Sequence, residues 1–122
     1  MENYRLAKVE QDGELFYVRL RNPRMDEPEI YHFAEELVTL ITRDGCRQLV
    51  LSLGPEPPSC LYSVFLSKLI TVQRILREHG GRLALVEVGP TTRSVFEACM
   101  LERQFTFYPD LKTVREHWKD AG

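Results

Sequence analysis

The residue best placed to do chemistry in this chain is a serine at a predicted helix start. Ser63 follows the loop Gly54-Pro55-Glu56-Pro57-Pro58-Ser59-Cys60-Leu61-Tyr62, which leaves an apolar strand at Leu49–Leu53. A hydroxyl in that position either caps the first backbone N–H groups of the helix or is a place where a phosphate can be written and erased. A phosphate would bring roughly −1.5 to −2 charges to a helix end whose dipole favours anions. It would leave its own helix standing and act on a partner, through repulsion and desolvation across an interface.

Other chemistries have thinner support. The chain holds no GxSxG elbow, HExxH pair, Walker loop or GxGxxG turn. His32, His79 and His117 lie on or at the ends of predicted amphipathic helices beside charged neighbours, and read as solvated side chains. Asp26, Glu27 and Glu29 fall in the first turn of a helix, where negative charge offsets the dipole. Glu35 and Glu36 read as a solvated face. Cys46, Cys60 and Cys99 are odd in number and lack CxxC spacing, so neither a disulfide framework nor a zinc site is expected. Cys99 reads as a small buried hydrophobe, and Cys60 has no activating neighbour. No metal, no cofactor and no enzymatic activity are expected.

These residues need a scaffold, and 122 residues with 43% hydrophobic and 28% charged content are enough for one domain, 1–122, with a real core. A net charge of −2 and an isoelectric point near 5.9 offer no reason to seek nucleic acid or an anionic membrane. No apolar run approaches a membrane span, and Met1-Glu2-Asn3-Tyr4-Arg5 holds no apolar signal core. A cytoplasmic protein is expected.

Leu6–Glu10 and Leu15–Leu20 are strand-like and join across Asp12-Gly13, a strong hairpin turn. Asp26 and Glu29 fit a capping box, and Pro28 sits near the first helical position. Ile30, Phe33, Ala34, Leu37, Leu40 and Ile41 then form one apolar helical face, stopped by Asp44-Gly45. Leu49–Leu53 is apolar throughout, as for a strand covered on both sides. A helix over about Ser63 to His79 carries Phe65, Leu69, Val72 and Leu76 inward and ends at Gly80-Gly81. Leu83–Val88 is a further buried strand. Gly89-Pro90-Thr91 opens a third helix with Val95, Phe96, Cys99 and Met100 inward. Phe105–Tyr108 is a last strand, and Asp110 caps a closing helix with Leu111, Val114 and Trp118 inward. The order ββαβαβαβα predicts an α/β fold, with a mostly parallel sheet made mixed by its initial hairpin.

Leu49-Val50-Leu51-Ser52-Leu53, Phe65–Ile70, Gly80–Val86 and Val95-Phe96-Glu97 through Leu101 to Phe105, in this order and spacing, resemble the STAS domain. That is the fold of anti-sigma-factor antagonists and of the cytoplasmic tails of sulfate transporters, and the resemblance runs from the opening hairpin through Trp118. The family's functional motif, Asp-Ser-Ser/Thr-Gly at the start of the second helix, matches Leu61-Tyr62-Ser63-Val64 here. Only Ser63 is kept, and only with one residue of slack; strict counting back from Gly80-Gly81 puts Val64 at the acceptor position. The acid is replaced by Leu61 or Tyr62 and the glycine by Val64 or Phe65, so a kinase loses a polar handle and a close backbone approach.

The resemblance implies a regulatory binding module. Its partner would be an anti-sigma factor, a serine kinase of histidine-kinase-like ATPase fold, and docking would release a sigma factor. The contact residues would be Pro57, Pro58, Ser59, Leu61, Tyr62, Ser63 and Val64, with Ser63 as the phosphorylation site. Pro55, Pro57 and Pro58 lower the loop's freedom and hence the entropy cost of docking. Tyr62 at the junction is either a lid on the core or an interface anchor. Two other readings stand beside it: a scaffold that self-associates or pairs with other STAS proteins, and a small-ligand sensor with its site near Ser52, Ser63 and Glu87.

Overall fold

The computed structural model describes residues 4–60 and 62–121. The elements run β1 (Ala7–Asp12), β2 (Leu15–Leu20), α1 (Glu27–Thr42), β3 (Gln48–Ser52), α2 (Tyr62–Glu78), β4 (Arg82–Val86), α3 (Pro90–Ala98), β5 (Phe107–Tyr108) and α4 (Leu111–Ala121). The sheet keeps sequence order, β1-β2-β3-β4-β5. The β1–β2 hairpin is antiparallel and the other pairings are parallel.

Strand alternation sorts side chains onto two faces. Phe16, Val18, Leu49, Leu51, Leu83 and Leu85 meet the apolar faces of α1 and α2, and Phe96 of α3 joins the same core. Leu15, Val50, Ala84 and Val86 point the other way, under Val114 and Trp118 of α4. β3 is thus buried on both sides, which explains its unbroken apolar run.

Helix ends follow local chemistry. Asp26 accepts from the Glu29 amide at 2.9 Å while the Glu29 side chain accepts from the Asp26 amide at 3.0 Å, a complete capping box. Asp110 accepts from the Thr113 amide at 2.8 Å, and this bond holds its carboxyl below the usual range. Gly80, at φ +81°, ends α2 in the left-handed region.

Several expectations are corrected. β1 begins at Ala7 and runs on to Asp12. β4 stops at Val86, because Glu87 turns into the left-handed region at φ 58° and cannot extend the ladder. β5 is only Phe107–Tyr108. Cys99 and Met100 do not face inward: Cys99 is exposed and Met100 is 82% exposed. α3 ends at Ala98 in a turn that places Met100 at φ 59°, and the Leu101 amide donates back to the Phe96 carbonyl at 2.8 Å. Leu101, and not Met100, therefore returns to the core. Glu36 is no solvated bystander either. Its carboxylate accepts from the Leu6 amide at 3.0 Å and the Ala7 amide at 2.8 Å, tying the entry to β1 onto α1.

Candidate functional site

Parallel strands end together at one edge, where the loops to α2 and α3 emerge. Tyr17, Ser52 and Glu87 meet there. Tyr17 lies opposite Val50 in the β2–β3 register, so Ser52 follows one pleat on, upon the same face. The alternation of β4 would send Glu87 to the opposite face, but its left-handed backbone redirects the side chain. The Tyr17 hydroxyl then donates to Glu87 Oε1 at 2.6 Å, and Ser52 Oγ lies 2.7 Å from the same oxygen. Burial, followed by the bond to Glu87, raises the Tyr17 pKa, so its hydroxyl stays a donor through the neutral range.

The same cluster fixes the root of the long loop. The Gly54 amide lies 3.3 Å from Ser52 Oγ, and the Leu53 amide donates to the Val86 carbonyl at 3.1 Å. A Cβ at Gly54 would collide with the Glu87 carbonyl oxygen, so the close approach of the two junctions demands glycine. Further along, the Ser59 amide donates to the Pro23 carbonyl at 2.7 Å and the Met25 amide to the Ser59 carbonyl at 3.1 Å. The loop is pinned at both ends.

The expected contact residues divide within this loop. Pro57 and Ser59 are exposed, as is Ser63 on the first turn of α2, while Val64 is half-buried. Ser63 is the second residue of α2, one position inside the helix start expected for it, so it is not the residue that precedes the helix as a cap. Pro58 is buried, and its carbonyl accepts from the Tyr62 hydroxyl at 2.7 Å; it braces the loop from beneath and offers no outward surface. Tyr62 is half-buried, with its ring edge-on to Phe65 at a centroid distance of 6.5 Å. Leu61 lies outside the described residues. Ser52 and Glu87 come together as the ligand reading required, but Ser63 is not part of their network.

Burial pushes the Cys60 thiol up to about 11 and the Cys46 thiol up to about 12, which suppresses the reactive thiolate. The three histidines are exposed, and no group of three or more His, Cys, Asp or Glu side chains gathers as metal ligands among the described residues.

Tyr17 is the member of this site that sequence reading missed. One signal was available: Glu87 is a carboxylate inside an otherwise apolar strand run, and such a residue needs a donor.

No family model and no curated protein matches the sequence. Solved structures do match. TM1081 of Thermotoga maritima, assigned as an anti-sigma factor antagonist, superposes with a TM-score of 0.78 at 16% identity, covering 96% of this chain and 97% of that one. The Bacillus cell-fate determinant SpoIIAA in its phosphorylated form gives 0.67 at 19% identity, over 90% and 97%. A chain from the stressosome, a signal integration and transduction hub, gives 0.67 at 18% identity, over 93% and 97%. With its hairpin-led mixed sheet and four helices in this order, the chain has the fold of the STAS domain.

Proposed function

We propose that this chain is a regulatory protein-binding module of the anti-sigma-factor-antagonist type, and not an enzyme. The single observation that carries the reading is the braced β3–α2 loop, which ends on an exposed hydroxyl. Ser59 is tied to Pro23 and Met25, Gly54 is wedged against Glu87, and Ser63 stands exposed in the first turn of α2. A loop already held in one conformation gives up little entropy on docking. The docking surface is formed by Pro57, Ser59, Tyr62, Ser63 and Val64. The partner is an anti-sigma factor with a histidine-kinase-like ATPase fold, and a phosphate on Ser63 opposes docking. Likeness in fold to SpoIIAA, solved in a phosphorylated form, supports that switch. The site of action is the cytoplasm; no described helix is long and apolar enough to cross a membrane.

The test is affinity capture from native lysate with wild-type and Ser63→Asp baits, reading partners and phosphosites by mass spectrometry. The expected result is a kinase-like anti-sigma factor on the wild type, reduced at least about tenfold on the Asp bait, as like-charge contact at an interface requires. Equal capture by both baits, with Ser63 unmodified, would sink the switch. Likeness to a stressosome chain favours a second reading, a scaffold that self-associates. Light scattering separates the two: a concentration-independent multimer with no kinase captured would select the scaffold.

A further inference from the structure

The second half of α2 carries a polar residue that helix packing does not call for. Its buried side runs through Leu66, Leu69, Gln73 and Leu76, so a primary amide stands where the spacing asks for an apolar side chain. Gln73 is only 6% exposed. Its Nε2 donates to the Gln104 carbonyl at 2.8 Å, which ties the α3–β5 loop to the helix. That bond uses one N–H of the amide; Oε1 accepts from no donor among the described residues. Nor is Oε1 sealed off, since the buried side-chain atoms without a partner are Arg19 Nε and Glu102 Oε2. It opens into a groove of about 360 Å³ between α2 and the loop, bordered by Ile70, Arg74, Arg77, Glu78 and Gln104. Ile70 is among the few large apolar side chains left in solvent, at 36% exposure. Glu78 is engaged by Arg74 at 3.4 Å, whereas exposed Arg77 has no ion-pair partner among the described residues. The loop adds Glu102 and Arg103, one charge of each sign, so the balance around the groove stays positive.

We propose that this groove docks an extended acidic segment of a partner protein. A primary amide offers one acceptor and a second N–H, the two groups that one peptide unit needs when it leaves water. Gln73 Oε1 accepts from a backbone N–H of the segment, and the free N–H of Nε2 donates to a backbone carbonyl. Side chains of an extended chain alternate in direction, so an apolar residue set against Ile70 leaves its neighbours to reach the arginines. A carboxylate there pairs with Arg77, the charge that the groove itself leaves unbalanced. A basic segment would meet Arg77 with like charge. Gln73 lies ten residues along α2 from Ser63, about 15 Å of helix, so failure of the Ser63 docking reading leaves this site untouched.

The test is an NMR titration of the ¹⁵N-labelled chain at constant ionic strength with two capped hexapeptides, one of alternating Leu and Asp and one of alternating Leu and Lys. The Leu/Asp peptide should give saturable shifts at the backbone amides of Ile70, Arg74, Arg77 and Gln104 and at the side-chain NH₂ of Gln73. The Leu/Lys peptide should bind at least about fivefold more weakly, the scale of one exposed charge pair. Arg77→Gln and Ile70→Ser, both at exposed positions and checked by thermal melting, should each weaken the Leu/Asp peptide by about fivefold. Equal binding of the two peptides, shifts that never saturate, a Gln73 side-chain signal that does not move, or an affinity indifferent to both substitutions would overturn the proposal. Shifts confined to residues 57–64 would place the peptide on the docking loop and overturn it as well.

Discussion

Tyr4 and Tyr17 each donate a 2.6 Å hydrogen bond to a carboxylate, Asp44 and Glu87 respectively, yet the two pairs are built from different materials. Asp44 has a cation beside it: the Arg43 guanidinium, with help from Tyr4, holds its carboxyl below the usual range. Arg43 also lies over the Tyr4 ring at 5.7 Å, and Asp44 keeps an ordinary backbone. Glu87 has two hydroxyls in place of a cation, and reaches them only from a left-handed backbone. Such a conformation costs an L-residue roughly 1–2 kcal/mol. The first pair ties the chain's beginning to the end of α1 by local charge. The second accepts a backbone penalty to lock two strand-to-helix junctions at the edge from which the exposed loop departs. Strain of that kind marks positions whose geometry matters more than their stability.

The comparison breaks most sharply at Gly54. Gly54→Ala should destabilise by about 3 kcal/mol in urea unfolding, because the new Cβ meets the Glu87 carbonyl and neither backbone can yield. A loss under about 0.5 kcal/mol would mean that the junctions are not wedged. Next comes Glu87→Ala, which leaves the Tyr17 and Ser52 hydroxyls without their shared acceptor and should cost about 2 kcal/mol. Glu87→Gly loses the same bonds but relieves the left-handed backbone, so it should be the milder change by roughly 1 kcal/mol. Equal losses for the two would show that Glu87 carries no backbone penalty.

Tyr4→Phe should cost about 1 kcal/mol by removing one hydrogen bond. It should also alter the alkaline limb of stability. Burial, with the bond to Asp44, raises the Tyr4 pKa from 10.0 to about 12. Its contribution is therefore complete below pH 10 and is lost as pH rises from 10 towards 12, where the unfolded chain ionises first. The variant should unfold with a shallower pH slope across that window, while Tyr17, shifted the same way, keeps part of it. The smallest effect belongs to Ser63→Ala. The side chain is exposed, and its loss should move stability by no more than about 0.5 kcal/mol. A larger loss would give Ser63 a structural role and weaken the docking reading.

Much of this architecture was legible residue by residue. The Asp26/Glu29 box, the Asp110 cap and the inward stripes of α1 and α2 are local patterns, and they stand in the fold where their spacing put them. Local pattern failed where the chain turns sharply. Met100 continues the helical apolar spacing of α3, but the helix closes at Ala98 and the left-handed turn carries Met100 into solvent. Glu36 looked like a solvated residue because its acceptors' partners, the amides of Leu6 and Ala7, lie some thirty positions away in the chain.

The same division holds for the candidate site. Periodicity, caps and turn residues act over a few neighbours, so the sequence by itself determined the order of elements, the hairpin, the buried β3 and the exposed proline loop that leads to Ser63. Only the tertiary structure decided that Pro58 lies beneath that loop and that Glu87 swings across the sheet to Tyr17 and Ser52. Those outcomes depend on strand register and on a single left-handed residue. Both are settled by the packing of segments distant in sequence, where a one-residue shift would send every side chain to the opposite face.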